Sequence, residues 1–75
     1  MTAWPRAVER QYEHALADRL EERAARYESA ARSARRRLLS GERGWVRTSQ
    51  RLRHYTREAD RLCDAARVVR EEADR

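Results

Sequence analysis

Residues 45–73 carry the most regular pattern in the chain and read WVRTSQRLRHYTREADRLCDAARVVREEA. Side chains that are apolar, apart from one threonine, recur here at alternating steps of three and four residues. The members of this seam are Trp45, Thr48, Leu52, Tyr55, Ala59, Leu62, Ala66, Val69 and Ala73. A strand places every second residue on one side, so only a helix gathers these positions on one face. The spacing predicts a long amphipathic helix whose heptad seam packs against a partner helix.

The partner helix is predicted on the N-terminal side, over residues 5–39. Helix-forming residues run through this segment without a glycine, and proline is well tolerated in a first helical turn. A second seam runs along its last two-thirds with steps of four and three residues, at Leu20, Ala24, Tyr27, Ala31, Ala34 and Leu38. Paired outward from the turn, the two seams stay in constant register, with Leu38 opposite Trp45 and Ala31 opposite Leu52.

The only break between the helices is the segment SGERG at residues 40–44. Gly41 suits the left-handed residue that ends a helix, and five residues is an ordinary length for a connection between antiparallel helices. We therefore predict one all-α domain, residues 1–75, folded as an antiparallel two-helix hairpin with a coiled-coil-like seam. Its parts are a helix over 5–39, a turn over 40–44 and a helix over 45–74.

A single hairpin of this composition buries little apolar surface. Thirteen of its thirty apolar residues are alanine, and its one cysteine cannot form an intramolecular disulfide. Small chains that lack such crosslinks commonly associate. Apolar residues off the seam indicate a second interface, predicted to involve Trp4, Val8, Tyr12, Leu16, Cys63 and Val68. We therefore expect a homodimer in which two hairpins form a four-helix bundle.

Charge is distributed unevenly along the chain, which carries a net charge of +5 and no lysine. Residues 1–28, 29–57 and 58–75 have net charges of −1, +8 and −2. In a hairpin the basic segment forms the turn end, and both acidic segments lie together at the open end. Arginine-biased codon usage would explain a high arginine total more easily than this clustering by region.

The arginine-rich turn end predicts a partner that is anionic, either nucleic-acid phosphates or an acidic protein surface. Arginine forks suit phosphate oxygens, while glutamine and histidine side chains contact sugars or base edges. The predicted nucleic-acid-binding residues are Arg36, Arg43, Arg47, Gln50, Arg51, His54 and Arg57. The alternative interpretation is an ordinary solvated helical face.

The sequence contains no pattern typical of an enzyme. There is no glycine-rich phosphate loop or nucleophile elbow, and a two-helix hairpin offers no deep pocket. His14 and His54 each have nearby carboxylates, but a metal site needs three or four converging ligands. We expect no enzymatic activity, cofactor, metal or small-molecule substrate. We also expect a cytoplasmic protein, because no apolar run approaches a membrane span and residues 1–5 do not begin a signal peptide.

Two functions fit these observations. The first is a dimeric hairpin regulator that binds nucleic acid through its arginine-rich turn end. The alternative is a protein–protein interaction module, such as an inhibitor, antitoxin or assembly chaperone, that docks on a helical partner through its second apolar stripe. A helix-turn-helix reader is excluded because its helices are short and steeply angled. The predicted shape is similar, in fold alone, to small plasmid RNA-binding hairpin dimers.

Overall fold

The structure, a computed structural model, describes residues 6–41 and 43–75 and contains two helices in that part of the chain. The first, α1, spans Arg6–Leu39, and the second, α2, spans Trp45–Ala73. The helices pack against each other along their length to form an antiparallel hairpin of 60 × 19 × 13 Å. The predicted first helical residue, Pro5, lies outside the described residues.

The turn between the helices uses both glycines of the chain in left-handed conformations. The φ angle is 73° at Gly41 and 81° at Gly44. The amide N–H of Ser40 donates to the carbonyl of Arg36 over 3.0 Å, and Gly41 donates to the carbonyl of Leu38 over 3.3 Å. Gly41 therefore closes the end of α1 as the sequence predicts, because a residue without Cβ adopts this conformation at little cost.

The core of the hairpin is a thin layer of small side chains between the two helices. The described residues that are buried are Ala17, Ala24, Ala31, Ala34, Ala59, Leu62, Ala66 and Ala73. The larger seam residues, among them Tyr27, Leu52 and Tyr55, are only half-buried. Alanine allows the helix axes to approach closely, but it removes little apolar surface from water. The hairpin therefore gains less stability from burial than its length suggests.

The predicted seam is buried differently at its two ends than along its middle. Trp45 was expected opposite Leu38, but 65% of its surface is exposed. Trp45 is the first residue of α2, so its side chain lies at the end of the helix pair and stays largely outside the core, and its pairing with Leu38 stays a prediction. At the other end the seam of α1 continues beyond Leu20 to Ala17, which is fully buried, while the Val8, Tyr12 and Leu16 side chains face solvent.

Candidate nucleic-acid interface

Ion pairs divide the hairpin into two chemically different ends. Every ion pair between described residues lies in the open end, which consists of residues 1–28 and 58–75. In the turn end, residues 29–57, nine arginines stand within a segment whose one acidic residue is Glu42. None of the nine lies within 4.0 Å of a carboxylate among the described residues. The guanidinium groups of the turn end are therefore available to an external anion.

The structure places the predicted nucleic-acid-binding residues of α2 on two adjoining faces. Arg47, Arg51 and His54 follow each other at steps of four and three residues, so they line one flank of the seam. Gln50 and Arg57 lie about 60° further around the helix, on its outer face, at 100° per residue. All five side chains are exposed. The α2 residues thus form one exposed surface, of which Arg51, in a groove with α1, and His54, next to Tyr27, border the other helix.

The remaining two predicted residues lie apart from that flank. Arg43 is exposed in the turn, where it extends the basic surface beyond the start of α2. Arg36 is exposed on α1, and its guanidinium donates to the Ser33 hydroxyl over 3.3 Å. It lies one turn before the end of α1, where a cation also interacts favourably with the helix dipole. Arg36 therefore has a local role in addition to any external contact.

A shallow groove of about 180 Å³ lies between the helices on the flank of Arg51. We call it the arginine groove. Its α1 wall comes from Ala30, Ser33, Ala34 and Arg37, and its α2 wall from Thr48, Arg51 and Tyr55. Small side chains form its floor, so the two long arginines stand above it. No acidic residue lines it in the described part of the chain.

Arg37 was not among the predicted site residues, although a signal for it exists. It immediately precedes the seam residue Leu38, and Arg51 immediately precedes the seam residue Leu52. In two antiparallel helices, residues that occupy the same heptad position next to the seam face each other on the same side of the hairpin. The register predicted from the sequence therefore already pairs the flank of Arg37 with that of Arg51.

Three aromatic rings adjoin the arginine groove at its inner end. The centroid of the Tyr55 ring lies 5.8 Å from that of His54 and 6.2 Å from that of Tyr27. The Tyr27 and His54 centroids are 6.2 Å apart, with an interplanar angle of 86°. Both tyrosines are half-buried in the seam, whereas His54 is exposed. The tyrosines thus position the histidine ring at the surface beside the groove.

A second groove, of about 300 Å³, lies on the opposite side of the hairpin. Arg32 and Arg35 line it, but so do the carboxylates of Glu28 and Asp60. Arg35 and Arg37 are two residues apart, which places them about 200° apart around α1. The second groove therefore has mixed charge, and the arginine groove is the more strongly cationic of the two.

At the open end, Arg70 of α2 joins the two helices. Its guanidinium donates to Glu21 over 2.9 Å and to Asp18 over 2.6 Å, and it lies 3.2 Å from the Nδ1 atom of His14. The other ring nitrogen of His14 lies 3.5 Å from a carboxylate oxygen of Asp74. The hydrogen bond from Arg70 lowers the pKa of Glu21 below its ordinary value of 4.5. This group, which we call the Arg70 clamp, neutralises charge between the helices.

The predicted dimer-interface residues do not all share one side. Val8, Tyr12, Leu16 and Val68 are 39–72% exposed. Leu16 is two residues from His14, and Val68 is two residues from Arg70, so both lie about 200° from the Arg70 clamp. Together these four residues define an exposed apolar stripe on the side of the arginine groove but at the other end of the hairpin. Trp4, the remaining aromatic residue of the prediction, lies outside the described residues.

Cys63 lies on the other side from the apolar stripe. Its thiol donates to a carboxylate oxygen of Glu28 over 3.7 Å, and Glu28 lines the mixed-charge groove. Desolvation, together with the negative charge of Glu28, raises the pKa of the thiol above its ordinary value of 9.0. The thiol is therefore kept protonated and is separated from Val68, with which the sequence grouped it.

The described residues contain no group of three or more histidine, cysteine, aspartate or glutamate side chains arranged to hold a metal ion. Neither α1 nor α2 has the length and apolar character that crossing a membrane requires. Comparisons of the chain with protein-family models, curated proteins and solved structures give no match.

Proposed function

We propose that this chain is a cytoplasmic, non-enzymatic helical-hairpin regulator that binds nucleic acid through its arginine-rich turn end and acts as a homodimer. One observation carries the nucleic-acid part of the proposal. The nine arginines of the turn end have no carboxylate partner among the described residues, whereas five of the nine at the open end have one, drawn from Glu9, Asp18, Glu21, Glu58, Asp64 and Glu72.

The electrostatics of the turn end favour a polyanionic partner. Like charges on neighbouring turns of a helix destabilise it, and a net charge of +8 within residues 29–57 repels itself. Phosphates aligned along a nucleic acid would offset this repulsion and release condensed counterions. An acidic protein surface would offset the repulsion as well, but few protein surfaces carry negative charge at the density of a phosphate backbone.

Binding of nucleic acid by the unsubstituted parent protein tests this function directly. Fluorescence anisotropy with a labelled duplex and a labelled single strand, from low to moderate salt, gives the affinity at each salt concentration. We expect binding at low salt, with log affinity falling linearly against log salt concentration. If neither probe is bound at low salt, the nucleic-acid function is wrong and the protein-partner function replaces it.

Dimerisation is supported by the surface that one hairpin leaves exposed. The chain exposes 6370 Å². A compact monomer of 8.9 kDa exposes roughly 4,800 Å². The difference exceeds the ~800 Å² that each partner buries in a standard protein interface. A second copy that covers the apolar stripe would give a four-helix bundle and supply the burial that the alanine core lacks.

The dimer is tested by removing apolar side chains from the stripe. We expect Leu16→Gln combined with Val68→Gln to shift the protein from dimer to monomer, with a dissociation constant at least tenfold higher than that of the parent. Leu39→Gln combined with Val46→Gln is the matched control, because these exposed residues lie at the turn end. Sedimentation equilibrium at several concentrations measures both. A parent protein that is monomeric and stably folded would refute the dimer.

The second candidate function is a protein–protein interaction module. The observation that favours it is the exposed apolar stripe, since amphipathic helices commonly dock by such faces. In that case the stripe binds a helical partner such as the target of an inhibitor, antitoxin or assembly chaperone. The stripe variant would then lose the partner, while charge changes at the turn end would leave partner binding intact.

A further inference from the structure

We propose that the arginine groove, with the aromatic rings beside it, is a binding site for single-stranded nucleic acid rather than for a duplex. This inference rests on the proposed nucleic-acid function and specifies the form of the ligand. The site would hold phosphates at Arg37 and Arg51 and stack a base on the ring of His54, which Tyr55 supports.

The cationic part of the site is formed by both helices. Arg37 of α1 and Arg51 of α2 line opposite walls of the same groove, and neither pairs with a carboxylate of the described residues. Between them lie the hydroxyl-bearing residues Ser33 and Thr48. Guanidinium forks on two walls can grip a phosphate from two directions, which a flat arginine surface cannot do.

The groove also has an aromatic end, which a purely electrostatic surface would not need. Tyr55 belongs both to the groove wall and to the ring cluster with Tyr27 and His54. His54 is exposed and is positioned by tilted and edge contacts with the two tyrosines. The His54 ring is therefore already held in place, so a base can stack on it without the entropic cost of ordering the side chain.

A positively charged groove that adjoins aromatic faces is the combination by which proteins hold single strands. The bases of a duplex are stacked within it, so a duplex would contact the arginines but leave the rings unused. Arg47, Arg51 and His54 span about 10 Å along α2 at 1.5 Å per residue. This length matches roughly three stacked nucleotides at 3.4 Å each. In the opposite groove, Glu28 and Asp60 offset the charges of Arg32 and Arg35, so it offers phosphates no net positive charge.

The test uses the full chain and four labelled 12-nucleotide probes in fluorescence anisotropy. The probes are oligothymidylate, oligouridylate, a duplex with the same number of phosphates, and an abasic strand of the same length. We expect either base-containing strand to bind about 5- to 150-fold more tightly than the abasic strand, the range that one stacked base contributes. The DNA and RNA arms distinguish the two sources of such a strand.

Two substitutions at one position separate stacking from charge. We expect His54→Ala to reduce affinity for the base-containing strand to that for the abasic strand, while the slope of log affinity against log salt stays the same. His54→Phe keeps a ring and should retain most of the affinity. Arg37→Gln combined with Arg51→Gln should instead flatten the slope, by about 0.7 for each lost contact with a single strand. Circular dichroism checks that each variant remains helical.

Failure of this inference is distinguishable from failure of the proposed function. If the parent binds the duplex and the abasic strand as tightly as the base-containing strands, nucleic-acid binding stands but the stacking site is refuted. The same holds if His54→Phe loses as much affinity as His54→Ala. If no probe is bound at low salt, the proposed function and this inference are both refuted.

Discussion

The turn end and the open end of the hairpin are built from the same two helices but handle charge in opposite ways. At the open end Arg70 crosses between the helices to Asp18 and Glu21, and other arginines pair with carboxylates one turn away on their own helix. At the turn end the described residues supply no such partners. The comparison indicates that paired charge at the open end serves the fold, and it supports our proposal that charge at the turn end binds a ligand.

The two ends also differ in how they use apolar surface. At the open end Val8, Tyr12, Leu16 and Val68 form a connected exposed stripe. At the turn end the exposed apolar residues Leu39, Trp45 and Val46 lie where the helices finish and begin. The open end thus offers an association surface away from the arginines. A homodimer joined there would keep its two basic ends from repelling each other.

The largest effect on stability is expected from Leu62, the one large side chain among the buried residues of the described part of the chain. Leu62→Ala should lower the free energy of unfolding by about 2–5 kcal/mol, because the neighbouring alanines cannot fill the space. Leu52→Ala is the comparison variant and should lose less, since Leu52 is half-buried. Thermal unfolding followed by circular dichroism measures both, and equal losses would mean that the core is not concentrated at Leu62.

A gain is expected from Glu13, which interrupts the seam at the open end. Its Oε2 atom is buried and has no hydrogen-bond partner among the described residues. Glu13→Leu would add an apolar layer next to Ala17 and remove a polar atom whose burial costs about 1–3 kcal/mol. We expect a higher Tm. The control Glu22→Leu, on an exposed position off the seam, should leave Tm nearly unchanged. A gain of equal size from both would refute the assigned seam.

A smaller effect, and one that depends on pH, is expected from the Arg70 clamp. The pKa of Glu21 is lowered in the folded chain, so the ionised carboxylate stabilises the fold above the ordinary pKa of 4.5. This contribution is lost as the pH falls through the lowered value. Arg70→Gln should therefore reduce Tm at neutral pH, and the difference from the parent should disappear in acid.

Arg61 provides the control for this pH dependence. Its bond to Glu58 over 2.7 Å joins residues of the same helix, and it lowers the pKa of Glu58. Arg61→Gln should change Tm less than Arg70→Gln does, because no contact between the helices is lost. Unfolding curves at pH values from 2 to 8 would decide the matter. A difference between Arg70→Gln and the parent that stays constant with pH would contradict the clamp.

The sequence predicts the hairpin well because a heptad seam is a regular signal and each helix carries one. The left-handed Gly41 is predictable for a similar reason, since a glycine at the end of a helical pattern has a defined role. The exposure of Trp45 was not predicted, because the pattern cannot show where close packing between the two helices ends. A periodic pattern thus fixes which residues face each other but not where packing ends.

The candidate site was predictable only in part. Clustering of arginines along the chain identifies the turn end, but it does not show that Arg37 and Arg51 share a groove or that His54 adjoins Tyr27. Those relations depend on how the residues next to the seam of one helix pack against those next to the seam of the other. The sequence also grouped Cys63 with Val68, which the structure places on opposite sides. The contacts of Arg70 with Asp18 and Glu21 were not predicted, because pairing between two helices leaves no regular spacing within one helix.

The central claim is that the arginines of the turn end, which have no carboxylate partner among the described residues, bind nucleic acid, and that the total positive charge does not. It is tested most directly by the salt dependence of affinity for two triple variants with the same net charge. One variant replaces Arg43, Arg47 and Arg51 by glutamine. The other replaces the exposed open-end residues Arg61, Arg67 and Arg75, each of which pairs with a carboxylate on its own helix, and leaves the Arg70 clamp intact.

Fluorescence anisotropy with one labelled duplex and one labelled single strand gives affinity and salt slope for both variants and the parent. We expect the turn-end variant to bind more weakly, with a slope flattened by about 0.9 for each lost duplex contact or about 0.7 on the single strand. The open-end variant should stay close to the parent in both quantities. Equal weakening and equal flattening in the two variants would contradict the claim, because the attraction would then be diffuse and the turn end would be no site.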